Sequence, residues 1–189
     1  MKKFSLILLL STIVVAIIYM ITVATVVNLR NNYEFVDVDS RTRQVFVNYL
    51  NKQCTFKGYV ADREQARKTL ETEFGVENYT YKEGNVKNGV GLSIIPLRYI
   101  KIDADADMEK YYRALAHEMC HIKYFTANEI YTQFMAFKGL YESDNPELKE
   151  AGLIFGVEIL NGNYPTEYDC SQLIINYLVE SGVKLNYKI

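Results

Sequence analysis

The chain has 189 residues, of which 49% are hydrophobic and 23% charged, with a formal net charge of −2. Such a balance supports a packed core and gives no electrostatic basis for nucleic-acid binding. Three cysteines cannot all pair, and no Cys-x-x-Cys is present to suggest a thiolate zinc site.

The first element is a run of 25 residues without a charge, Phe4 to Asn28. A helix needs about 20 apolar residues to cross a bilayer core, so residues 1–30 are expected to form an N-terminal transmembrane signal anchor. A cleaved signal peptide has a shorter apolar stretch and a small-x-small site, which Thr22-Val23-Ala24-Thr25 matches poorly. A buried core helix is rarely apolar on every face over this length. Lys2 and Lys3 precede the run, while Arg30, Arg41 and Arg43 follow it among Glu34, Asp37 and Asp39. That is a weak bias on a count of basic residues. The expected topology keeps the amino terminus in the cytoplasm and everything after Asn31 outside it.

Residues 31–39 are polar and acidic and are expected to be a linker. About 158 residues remain beyond the anchor, close to the common size of one domain, and the domain is expected over 40–189. Val45, Phe46, Val47 and Leu50 predict a helix over Arg41–Gln53. Ala61–Phe74 reads as a second helix, with Gly75 as its stop. Two or three strands are expected in Tyr79–Tyr81 and Val90–Ile102, with turns at Glu83-Gly84 and Asn88-Gly89. Pro96 places the longer stretch at an edge or bends it. Helices are then predicted over Ala106–Tyr124 (capped by Asp103 or Asp105), over Thr126–Tyr141, and from Asn145-Pro146 to about Leu160. A last helix covers Thr166–Glu180 and stops near Ser181-Gly182. Helices, a small sheet and more helices make an α+β fold. A Cys54–Cys170 disulfide is possible outside the cell.

The chemistry concentrates in His117-Glu118-Met119-Cys120-His121. The only two histidines of the chain stand four residues apart, with a glutamate directly after the first. On a helix that spacing puts both imidazoles on one face, where they can approach one Zn2+ ion with the glutamate alongside. Catalytic zinc takes three protein ligands and keeps one position for water. Glu118 is therefore the candidate general base, and His117 and His121 are candidate metal ligands. Cys120 faces about 100° away from His121 and reads as a packed core thiol. The third ligand candidate is Glu129, which a straight helix would carry about 12 Å too far along. The chain must break between them, and Thr126-Ala127-Asn128-Glu129 fits a capping box that starts a new helix. Two roles stay open for Glu129: metal ligand, or the capping partner of Thr126. Glu142 and Asp144 are the fallback ligands.

His117-Glu118-x-x-His121 followed by Asn128-Glu129 resembles the gluzincins, the thermolysin-type zinc metallopeptidases, in a small membrane-anchored bacterial form. The resemblance covers roughly 45 residues, Tyr111 to Gly156, and its first half is the specific one. It implies a zincin-like fold, a small β-sheet followed by a helical bundle carrying the metal helix, with Glu129 opening the second ligand helix. It also implies an acidic residue four positions after Glu129, where this chain has Gln133, and a histidine donor to the oxyanion, which this chain lacks. Tyr124, Tyr131 and Tyr168 are the candidates for that donor. An edge strand beside the metal helix is implied as the substrate rail, and Gly91–Ile102 is the candidate.

The function expected is that of a single-pass cell-membrane zinc metallopeptidase. It would cleave an extracytoplasmic protein or peptide, with no nucleic acid as partner. The alternatives are a catalytically inactive zinc-binding protein and a metal-free, membrane-tethered interaction protein.

Overall fold

The computed structural model describes residues 13–19, 33–55, 58–87 and 89–183. Residues 13–19 of the predicted anchor are helical and exposed, and the rest of that anchor lies outside the described residues. Among the described residues no helix is long and apolar enough to cross a membrane.

From Ser40 onward the chain is α+β. In chain order the elements are α1 (Ser40–Gln53), α2 (Arg63–Phe74), β1 (Thr80–Glu83), β2 (Gly91–Ile94), β3 (Tyr99–Ile102), α3 (Met108–Tyr124), α4 (Glu129–Glu142), α5 (Pro146–Leu160) and α6 (Ser171–Glu180). Short 3-10 turns occupy Ile95–Leu97 and Thr166–Tyr168. The predicted helices are present, with shifted starts. Asp107, not Asp103 or Asp105, caps α3 by accepting from the Lys110 amide. Asp103 is taken up instead in the turn before it, accepting from the Asp105 and Val86 amides. The last predicted helix is split, because Asp169 and Cys170 separate the turn at Thr166–Tyr168 from α6.

The sheet order is β1-β3-β2, with β1 parallel and β2 antiparallel to β3. Pro96 marks where the Val90–Ile102 stretch reverses: it sits in the 3-10 turn, and Arg98 closes the turn in the left-handed region at φ 46°. Within that stretch Gly91–Ile94 takes an edge position, while Tyr99–Ile102 is the central strand. Ile100 and Ile102 turn inward and are fully buried, whereas Leu92 and Ile94 face out.

One face of the sheet packs on α3, and α2, α4 and α5 enclose α3 further. Leu115, Met119, Cys120 and Ala116 are each 0% exposed. Burial of a side chain the size of Leu or Met stabilises by about 1.5–3 kcal/mol, so α3 is among the most firmly held elements. On α5, Gly152 lets the helix meet α4 closely: a Cβ there would stand 2.6 Å from the Tyr141 amide nitrogen.

Residues 33–38 have no regular secondary structure. Val38 is buried, and the Arg43 guanidinium donates to the Val38 carbonyl, to Ser171 and to Asp169. Cys54, Cys120 and Cys170 are free thiols. Cys54 donates to Glu150 at 2.6 Å, so no disulfide joins it to Cys170.

A candidate metal centre between two helices

Helix α3 ends at Phe125, which takes the left-handed conformation at φ 50°. For a bulky residue that conformation costs about 1–3 kcal/mol, and it buys the turn the site needs. Thr126 follows, its amide donating to the His121 carbonyl and its hydroxyl accepting from the Asn128 amide. Asn128 then caps α4 by accepting from the Tyr131 amide. The cap of this helix is thus Asn128, not Thr126, and the capping box is not formed. Glu129 stands at the first position of α4 with its carboxylate free to turn back.

It turns onto the histidines. Glu129 Oε2 lies 3.0 Å from His117 Nε2 and 3.3 Å from His121 Nε2, and the two Nε2 atoms are 3.0 Å apart. These three residues form the cluster that could hold a metal ion among the described residues. A tetrahedral zinc with bonds of about 2.0–2.1 Å separates its ligands by about 3.4 Å, so the triangle fits with adjustments of a few tenths of an ångström. The tautomer fits too. His121 Nδ1 lies 2.7 Å from the Thr126 carbonyl and 3.3 Å from the Thr132 hydroxyl. Donating there leaves the Nε2 lone pair free for a metal.

In the metal-free chain these groups perturb one another. Burial pushes the Glu129 carboxyl upward, but its hydrogen bonds to His117 and His121 outweigh burial and hold it at about 2. Burial works against a charged His121, and the Glu129 carboxylate overcomes it and raises the imidazole above its ordinary value. The mutual attraction means that the donors converge without being forced apart.

Glu118 lines the same cleft, a cavity of about 600 Å³. It is nearly buried beneath β2, because Gly91 has no side chain: a Cβ there would lie 2.7 Å from Glu118 Oε1 and 2.8 Å from its Cγ. The strand edge above is open. The Asp103 amide donates to the Val90 carbonyl, which makes Val90–Asp103 a hydrogen-bonded pair and Leu92–Lys101 the next. By the antiparallel alternation, Gly91 and Ser93 direct their backbone groups away from β3.

The other sequence candidates separate clearly. Tyr168 lines the cleft, its ring centroid 6.4 Å from that of His117. Burial, and next the Glu129 charge, raise its phenol above the ordinary value, which keeps it a hydrogen donor. Tyr124 and Tyr131 pack instead against each other at 5.5 Å, with Tyr33 stacked on Tyr131 at 5.0 Å. Gln133 is buried at the cleft wall, yet His117 Nδ1 is buried without a hydrogen-bond partner. Glu142 is committed to Lys138 and Tyr177 at the far end of α4, and Asp144 is exposed. Cys120 is fully buried and outside the cluster.

Sequence reasoning missed four contributors. Gly91 opens the candidate edge strand Gly91–Ile102, but nothing local shows that its missing side chain makes room for Glu118. Thr132 lies four residues beyond Asn128 and bonds back to its carbonyl, an ordinary helix pattern. Arg113, one turn before His117, is visible at helical spacing, but its partners Glu109, Glu158 and Tyr164 come mostly from afar. Tyr164 itself reaches the cleft from the α5–α6 connection.

No family model matches the chain, and no curated protein or solved structure does so either.

Proposed function

We propose that this chain is a zinc metallopeptidase of the gluzincin kind, membrane-anchored by its N-terminal apolar run, that hydrolyses peptide bonds in an extracytoplasmic protein or peptide. The observation that carries the reading is the placement of the Glu118 carboxylate in one cleft with three converging metal donors, directly beneath an open strand edge.

His117, His121 and Glu129 would hold the ion. Zinc there supplies Lewis acidity, which raises the acidity of a coordinated water and polarises a carbonyl. The residues of the chain do the rest. Gly91 and Ser93 pair with the backbone of an extended substrate and fix the scissile bond over the helix. Glu118 accepts the proton of the attacking water and delivers it to the departing amine. The Tyr168 phenol donates a hydrogen bond toward the negative charge that develops on the carbonyl oxygen.

The test is zinc content and turnover of a broad peptide library by wild type and by Glu118→Gln. One zinc per chain in both proteins, with turnover in wild type alone, supports the assignment; full activity in Glu118→Gln sinks it. The unpartnered His117 Nδ1 favours a second reading, a zinc-binding protein without catalysis, since metal-bound histidines usually donate that proton to an orienting group. Zinc binding without turnover in wild type selects it. Absence of any bound transition metal after reconstitution selects the metal-free interaction protein.

A further inference from the structure

The segment that enters the domain is fastened beside the metal ligand. The Asn128 side chain, which caps α4, also donates to the Tyr33 carbonyl at 3.1 Å, and Glu129 is its immediate neighbour in the chain. Tyr33 stacks on Tyr131, and Tyr124 meets Tyr131 edge-on. Five residues on, Arg43 holds the Val38 carbonyl. Between these two fastenings the segment presents Tyr33, Phe35 and Val36 to solvent, 40%, 37% and 52% exposed.

The sequence leaves little slack before this point. Five peptide units join Asn28, the end of the apolar run, to Tyr33. At full stretch they span at most about 18 Å. Tyr33, which the cap residue Asn128 holds, is therefore leashed within about 18 Å of the end of the run.

The geometry points to a lipid surface as the occupant of the Tyr33–Phe35–Val36 face, holding the metal cleft against the bilayer so that its substrates are polypeptide segments lying next to a membrane. This rests on the anchored-peptidase reading. Three chemical features suit lipid. Tyrosine, with an apolar ring and polar tip, prefers the headgroup level. Phe35 and Val36 are the kind of side chain that enters the acyl boundary. Exposed Glu34 and Asp37 flank them, so the contact is apolar and aromatic and does not require anionic lipid.

The absence of tryptophan from the chain makes the test direct. The full chain would be reconstituted into phosphatidylcholine vesicles as two single-tryptophan variants, Val36→Trp and Val179→Trp. Val179, 53% exposed, lies on α6, which meets the far end of α4 through Tyr177 and Glu142. That end is about 17 Å from Tyr131 along the helix. Lipids brominated on the upper acyl chain should quench the Val36→Trp emission and leave Val179→Trp unaffected. Equal quenching, or none at Val36→Trp, overturns the proposal. So does an emission shift at Val36→Trp that depends on protein concentration without lipid, which would assign the face to a second copy. The optical readout needs no metal or turnover, so loss of the peptidase reading would not be mistaken for loss of this one. A chain that fails to float with vesicles refutes the anchor and the surface together. In the active protein, a cleavable segment beside a transmembrane span should be cut about a hundredfold faster than the same peptide free in solution. Equal rates overturn the substrate class.

Discussion

Gly91→Ala tests whether the strand edge and Glu118, the proposed general base, are mechanically one unit. The added Cβ would stand 2.8 Å from Glu118 Cγ, roughly 0.7 Å inside an ordinary carbon contact of about 3.5 Å. Neither partner has easy room. The strand is tied through its pairing with β3, and Glu118 is rooted on a buried helix with 7% exposure. The carboxylate has to rotate or the edge has to lift by most of that distance. A displacement of about 1 Å at a catalytic group costs about a hundredfold in rate, so kcat should fall by about ten- to a hundredfold. The three atoms nearest the added Cβ all belong to Glu118 and none to a candidate metal donor, so zinc content should stay at the wild-type level. The assay is steady-state peptide hydrolysis, read beside zinc stoichiometry, for Gly91→Ala and Gly91→Val. A graded loss of kcat with retained zinc is the expected outcome. Wild-type kcat in both variants would refute the claim that β2 presses on Glu118.

Zinc at a hundred times its dissociation constant should stabilise the folded chain by about 2.7 kcal/mol. For a domain of this size that raises Tm by roughly 5–10 °C, and His117→Ala should abolish the rise in a thermal melt. In the metal-free chain, the Glu129 carboxylate, held at about 2, contributes stability that is complete above its unfolded value and lost as pH falls toward 2. The raised His121 contributes stability that is complete below its unfolded value and lost as pH rises through its folded one. Both contributions are therefore full between roughly pH 5 and 6. Melts in chelator should show Glu129→Gln flattening both flanks of the profile, and an unchanged profile would disprove the coupling. Tyr168→Phe should lower kcat by about a hundredfold, the usual cost of one oxyanion donor, with zinc binding intact; undiminished kcat would remove Tyr168 from the mechanism.

The legible part of this protein was the part with local signals. The His117–His121 spacing needs only a helix to become a metal-binding face, and Asn145-Pro146 marks a helix start on its own. Glu129 could be proposed but not decided, because Thr126-Ala127-Asn128-Glu129 carries two overlapping capping signals. Asn128 takes the cap because Phe125 accepts a left-handed turn, which delays α4 by two residues and frees the carboxylate. A phenylalanine gives no warning of that conformation. Gly91 was illegible for a different reason: its role exists only through Glu118, 27 positions away, and a missing side chain leaves no chemical trace. Pro96 predicts an edge strand or a bend, and both occur: β2 is at an edge, and residues 95–98 close a full reversal that brings it back along β3. The Arg113 cluster depends on Glu158 and Tyr164, contacts that no local pattern encodes.

All three metal donors fall between His117 and Glu129, a stretch of thirteen residues. Drawing together so short a segment costs little chain entropy, and loops of this length close in roughly 10–100 ns. An ion can consequently be gripped by a helical hairpin before distant parts of the chain have found one another. The edge strand reaches Glu118 only when the three-stranded sheet is assembled on α3. Assembly of the three candidate metal donors and completion of the cleft over Glu118 thus belong to different stages of folding. On the proposed function, a newly made chain would hold its ion before it gains the strand edge that aligns a substrate.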